Sequence, residues 1–214
     1  MSSNDQADQS KVTNRNMWRV WEMLGNVLLA AFFLRFLLSA GSNLMECFRI
    51  STLILTLKLS LDVFFLLTRK AANEVSFVPY DWAIAIAGTY CSMFFQTVNG
   101  QDHLFGQVVQ TVGFSLQLLS ILSLNRSFGV VAANRGIKTS GMYKFVRHPL
   151  YFAYTISYFG FLLNQLTAYN CIIYTSMMAF LYLRIIAEER LLTQNKEYQE
   201  YCQQTRYRLI PFVI

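Results

Sequence analysis

Charge is scarce in this chain. Only 14% of its 214 residues are Asp, Glu, Lys or Arg, against about 25% in soluble globular domains. Three prolines and ten glycines exclude collagen-like and low-complexity classes. The four cysteines, Cys47, Cys91, Cys171 and Cys202, are scattered, with no CxxC and no histidine nearby. Neither a disulfide framework nor a zinc site follows from that spacing. There is no Ser or Cys nucleophile set beside a base, no phosphate loop and no GxGxxG. No signal peptide is expected, because the first 16 residues are polar and the apolar run after them is too long for one. Apolar residues are what the chain has instead: 54% of the total, with 15% aromatics and a mean hydropathy of +0.33. One soluble core of this size could not hide so much apolar surface. The aromatic content excludes disorder. A polytopic membrane protein is the remaining class.

The apolar runs divide the chain. Residues 1–16 read as a disordered polar tail, and 17–214 as a single membrane domain. Spans are expected at Met17–Ser39, Ile50–Thr68, Trp82–Val98 and Leu104–Leu124, with a short loop at Ala40–Arg49. Asn125–His148 holds Gly129, Gly136, Gly141 and five Lys/Arg. It is too polar to span and too rich in glycine for one continuous helix. Leu150–Leu163 and Cys171–Ala187 then form a helical hairpin around an uncharged turn, followed by an amphipathic tail from Glu188. The fold class is therefore all-α, a membrane bundle of five to six helices closed by a C-terminal hairpin.

The net charge of +6 is read as membrane orientation and attraction to anionic lipid rather than as nucleic-acid binding. With the N-terminus in the cytosol, every Lys and Arg of the 18 except Arg35, Arg49 and Lys58 falls on the cytosolic side. That asymmetry predicts an N-in, C-in layout.

Three constellations carry charge where it costs most. Lys58 and Asp62 share one helix face near mid-span. A structural ion pair facing the bundle interior is one reading, and a substrate or proton pathway the other. In Arg147-His148-Pro149-Leu150-Tyr151 the proline suits the first turn of a helix and is expected to force His148 into an extended conformation. Arg147 and His148 then either anchor a span or hold an anion at a helix N-terminus. Arg184 and Glu188 share a face at the same end of the last apolar run, with Glu189 beside them. Brought together by a short hairpin, His, Arg, Glu and Tyr converge on one membrane–water boundary. A site without its own nucleophile has to bind and orient two reactants.

Arg147-His-Pro-Leu-Tyr151, then Arg184-x-x-x-Glu188-Glu189, Tyr198-x-x-Tyr201 and Arg208-Leu-Ile-Pro211, resemble the isoprenylcysteine carboxyl methyltransferase family, and more distantly the phospholipid N-methyltransferases. The resemblance covers about Ser123 to Pro211. It implies an integral membrane methyltransferase that uses S-adenosylmethionine and acts on a lipophilic or lipidated substrate among membrane lipids. It also implies a cofactor-binding part at 125–211. Carried over by position, the cofactor contacts are Arg135, Gly136, Ile137, Lys138, Tyr143, His148, Pro149, Leu150, Tyr151 and Glu188. Arg184 is the catalytic, substrate-side arginine, with Arg147 also toward the substrate. No metal is implied. The site would face the cytosol, in the cytoplasmic membrane of a bacterium or the endoplasmic reticulum of a eukaryote.

In the hairpin turn this chain has Asn164-Gln and Asn170-Cys where eukaryotic members of that family have Asn-Pro. Arg184 favours a carboxylate acceptor, since a guanidinium fork suits it. Methylation of a phospholipid or amine on the same scaffold stays open. So does a non-catalytic binding protein or small transporter, although broken, repeated helices are lacking.

Overall fold

The computed structural model describes residues 25, 27–46, 48, 50–76, 78–96 and 103–210. The polar tail at 1–16 and the expected start of the first span lie outside them. Seven helices are described: α1 (Val27–Glu46), α2 (Ile50–Thr68), α3 (Pro79–Cys91), α4 (Leu104–Leu124), α5 (Pro149–Asn164), α6 (Ala168–Leu192) and α7 (Lys196–Gln204). Two-residue strands β1 (Glu74–Val75) and β2 (Ala133–Asn134) pair antiparallel.

Three helices, α1, α4 with the turn that follows it, and α6, are long and apolar enough to cross a membrane. The other three apolar helices are shorter. α2 has 19 residues, α3 13 and α5 16. At about 1.5 Å per residue, 13 residues reach only ~20 Å.

Several expected boundaries move. Ala40–Glu46 is helical, not a loop. The serines here do not break the helix: the Ser42 hydroxyl donates back to the Ser39 carbonyl at 2.9 Å, and Ala40 between them is a strong helix former. The third helix starts three residues before Trp82, on Pro79 in its first turn, and ends at Cys91 rather than Val98. There the chain peels away because Asn170 holds Gln96 from both sides: its amide donates to the Gln96 carbonyl at 2.9 Å, and its oxygen accepts from the Gln96 N–H at 3.0 Å. The last apolar run also extends further, past Ala187 through Glu188, Glu189 and Arg190, to Leu192. Thr167 caps its start by accepting from the Asn170 N–H.

The segment between α4 and α5 is not one helix. It is two 3-10 turns, Asn125–Ser127 and Gly141–Lys144, around β2. Gly141 has φ +63°, a left-handed conformation that favours glycine.

α5 is joined to α6 by the three-residue connection 165–167, but its main partner is α4. The reason is a close approach. A Cβ on Gly113 of α4 would collide with the Ser157 backbone, and one on Gly160 of α5 with the Gln110 backbone. Small residues let helices meet this closely. The contact also carries a polar bond, since the Gln117 amide donates to the Ser157 hydroxyl at 2.5 Å with both residues buried. Gly113→Leu is therefore expected to force the pair apart and destabilise the protein by about 1–3 kcal/mol or more. A lowered midpoint of thermal unfolding in detergent checks this. An unchanged midpoint would reject the close-approach account.

Candidate functional site

The Pro149 end of α5, the Leu192 end of α6 and the loop before α5 meet around a single cavity of about 540 Å³. One end is polar, lined by Arg135–Lys138, Tyr143, His148, Arg184 and Glu188. The other is richer in apolar side chains, with Phe32, Phe33 and Phe36 of α1, Phe114 of α4 and Phe161 of α5, interspersed with Asn43, Gln110 and Gln117. The cavity thus has a wet head and a greasy body, the shape an amphiphile requires.

The loop reaches the cavity through two clamps. Asn73 N–H donates to the Asn134 carbonyl at 2.8 Å, and Ser76 N–H to the Ala132 carbonyl at 3.1 Å, either side of the β1–β2 pair. The second clamp ties the residue after β1 and the first turn of α3 to α6. Asp81 takes a two-pronged contact from Arg190 at 2.6 and 2.7 Å and also accepts from the Ser76 hydroxyl. Gly136 follows β2 with φ +93°, which turns the chain into the cavity wall. Its N–H donates to the Asn134 side chain at 3.1 Å.

Pro149 occupies the first turn of α5, as its sequence position indicates. His148 has φ −126° and ψ 58°, outside the helical region though not fully extended. The Arg147 and His148 N–H groups donate to the Tyr207 and Arg208 carbonyls at 2.9 and 2.8 Å. The C-terminal tail therefore lies along the RHP turn.

On α6 two adjacent glutamates do different things. Glu188 faces the cavity. One of its oxygens accepts from the Tyr151 hydroxyl, and the other stands 3.7 Å from His148 Nδ1. Glu189 faces the tail. Its Oε1 takes Arg147 Nε at 2.9 Å and His148 Nε2 at 3.3 Å, and its Oε2 takes Arg208 Nε at 2.8 Å. Arg147 spends its remaining reach on the Thr205 and Arg206 carbonyls, at 3.1 and 2.9 Å.

Arg184 is buried. Its Nη2 donates to the Val130 carbonyl at 2.8 Å, its guanidinium carbon lies 5.1 Å from the centre of the Tyr151 ring, and its Nε is buried without a hydrogen-bond partner among the described residues. Tyr143 closes the floor beneath the tail helix. Its carbonyl accepts from the Tyr201 hydroxyl at 2.6 Å, and it packs on Tyr198 and Tyr201. Burial, reinforced by Glu188, holds the Tyr143 phenol well above the usual tyrosine range. Burial does the same for Tyr198 and Tyr201. All three stay protonated and neutral.

Of the residues singled out in the sequence, Arg135, Gly136, Ile137, Lys138, Tyr143, Arg147, His148, Leu150, Tyr151, Arg184 and Glu188 line one cavity. Pro149 does not line it and is fully buried. Sequence reasoning left out Tyr154 and the Gln117–Ser157 pair, which line it too. Tyr151, Tyr154 and Tyr158 recur at helical spacing on α5, and that stripe is the signal that could have found the first of them.

Residues 107–194 match the model of the isoprenylcysteine carboxyl methyltransferase (ICMT) family. The match runs from α4 to the end of α6 and takes in each of the motif residues from Arg135 to Glu189. Over these residues the resemblance drawn from the RHPLY and RxxxEE motifs holds. The match spans less than half of the chain, and three of the described helices are long and apolar enough to cross a membrane. No curated protein matches the chain.

Proposed function

From its standing in the ICMT family over residues 107–194, we propose that the chain is a multi-pass methyltransferase that takes its methyl group from S-adenosylmethionine and passes it to a carboxylate of a lipophilic acceptor. One observation carries this reading: a single cavity joins a polar head, holding Glu188 and Arg184, to an apolar body.

The residues present fit the cofactor's chemistry. Glu188 keeps one oxygen on Tyr151 and has the other available to accept from an ammonium or a ribose hydroxyl. Lys138 and His148 stand on the same wall and suit a carboxylate. S-adenosylmethionine, when bound, supplies a methyl group already activated as a sulfonium. The protein's share is then positioning and exclusion of water. Arg184, with a buried donor free of any described partner and its guanidinium resting on Tyr151, suits a carboxylate oxygen as the nucleophile. Arg147 is a positioning residue in this reading, because its donors go to Glu189 and the tail. The charge asymmetry supports an N-in layout with this polar head toward the cytosol.

Calorimetric titration of S-adenosylmethionine into detergent-purified protein tests the cofactor, with saturable one-site binding expected. Absence of binding rejects the reading. Arg184→Lys tests the acceptor. It keeps the charge and loses the fork, so turnover is expected to fall roughly 10- to 100-fold, the loss of one charge-assisted hydrogen bond. Cofactor affinity is expected to stay the same. The product is a methyl ester, which mild base cleaves to volatile methanol. Base-stable label in the lipid fraction, from an enzyme indifferent to Arg184→Lys, would favour an amine acceptor instead.

A further inference from the structure

The proposed reaction leaves one buried charge pair unused. Lys58 and Asp62 of α2 form an ion pair at 2.5 Å, with Lys58 5% and Asp62 0% exposed. The pair is asymmetric. Asp62 is sealed inside the helix packing, whereas Lys58 lines the cavity. Its ammonium lies 5.3 Å from the centre of the Tyr154 ring and 5.7 Å from that of Phe33. Of its three N–H donors, Asp62 can take one directly. Lys58 has no other ion pair or hydrogen bond among the described residues.

A pair kept only for stability is a poor solution here. Replacing a buried ion pair by apolar residues of similar size is often neutral or stabilising. Ionisable groups inside membrane helices are expensive and mark ligand paths. The position is also specific. Arg184 rides on Tyr151 and Lys58 on Tyr154, and the two ring centres are 6.4 Å apart on one stripe of α5. The two cations therefore lie in sequence along the cavity wall, Lys58 about one helical turn nearer the apolar body, or ~4.5 Å along the axis.

We propose that the Lys58–Asp62 pair is a second polar anchor for the methyl acceptor, holding a carbonyl or anionic oxygen a few bonds from the reacting carboxylate, between it and the apolar tail. The proposal rests on the methyltransferase reading for the identity of the reacting group. Its own claim is that the acceptor is a doubly polar amphiphile, such as an acylated amino acid, and not a simple fatty acid. Asp62 fixes the ammonium in place. Lys58 donates to the acceptor's second oxygen.

Two probes of equal chain length separate these cases. N-palmitoylglycine has an amide carbonyl three bonds from its carboxylate, and palmitic acid has none. The native protein, in detergent with S-adenosylmethionine present, is expected to bind N-palmitoylglycine roughly 10- to 100-fold more tightly. In Lys58→Met/Asp62→Leu, which removes both charges together, that preference is expected to vanish. Cofactor affinity and the thermal midpoint are expected to hold or rise. The inference is overturned if the double variant keeps the preference, or if the native protein binds both probes equally or neither. Should the double variant not fold, discrimination by the native protein decides alone. Loss of cofactor binding by the native protein would instead defeat the methyltransferase reading, whatever the probes do.

Discussion

Glu188→Ala is expected to lower S-adenosylmethionine affinity by at least roughly 100-fold while the protein still inserts, purifies and unfolds at a near-native temperature. Glu188 is the acidic group on the cavity wall at the polar head, among the described lining residues. A hydrogen bond to a charged partner is worth about 1.5–3 kcal/mol, and removing its acceptor also strands the donor. Two donors would be stranded here, the ligand's ammonium and the Tyr151 hydroxyl. The fold does not depend on Glu188 in the same way, since its side chain is 23% exposed and ties together no distant elements beyond Tyr151 and His148. Glu188→Gln keeps the shape and loses the charge, and is expected to fall between native and alanine. Titration calorimetry of the three proteins, beside their unfolding midpoints without cofactor, makes the check. Native affinity in Glu188→Ala would reject this pocket assignment.

Sequence patterning revealed the helices best where apolar runs were bounded by polar or glycine-rich segments. The expected bounds of α2 and α4 match the observed ones. Patterning was least informative where tertiary bonds override local preference. Nothing local shows that Asn170, 74 residues away, stops the third helix by capturing Gln96. The same limit applies to the site. Arg147-His-Pro and Arg184-x-x-x-Glu188 could be placed on one boundary from spacing alone, and the structure draws them around one cavity. What each member does was not legible. Glu188 and Glu189 are identical in type and adjacent in sequence, and only the helix phase directs one to the cavity and the other to the tail. That Arg147, which the resemblance sets toward the substrate, also gives donors to Glu189 and to the tail carbonyls is not encoded in spacing either. Lys58 reads as half of an ion pair, which it is. That it borders the same cavity as Arg184 depends on how α2 packs, and no spacing encodes that.

Glu189→Ala is expected to damage the fold where Glu188→Ala damages binding. The Glu189 carboxylate is the common partner of Arg147, His148 and Arg208, with contacts between 2.8 and 3.3 Å. Arg147 in turn holds the Thr205 and Arg206 carbonyls, so the tail, the RHP turn and the end of α6 share this one anion. Removing one member of a buried charged network leaves the others uncompensated, at a cost of about 3–5 kcal/mol. The Arg147 side chain is 10% exposed, so water cannot readily take over. Arg208 is different, with 45% of its side chain exposed. Its loss in Arg208→Ala is expected to cost no more than ~1 kcal/mol, as for surface pairs. Thermal unfolding in detergent measures both. Proteolysis beyond Thr205 reports tail release directly, and is expected to quicken in Glu189→Ala and change little in Arg208→Ala. Cofactor affinity in Glu189→Ala is expected to weaken only in step with the loss of folded protein. A native unfolding midpoint combined with abolished cofactor binding would place Glu189 in the pocket and reject its role as the knot between tail and turn.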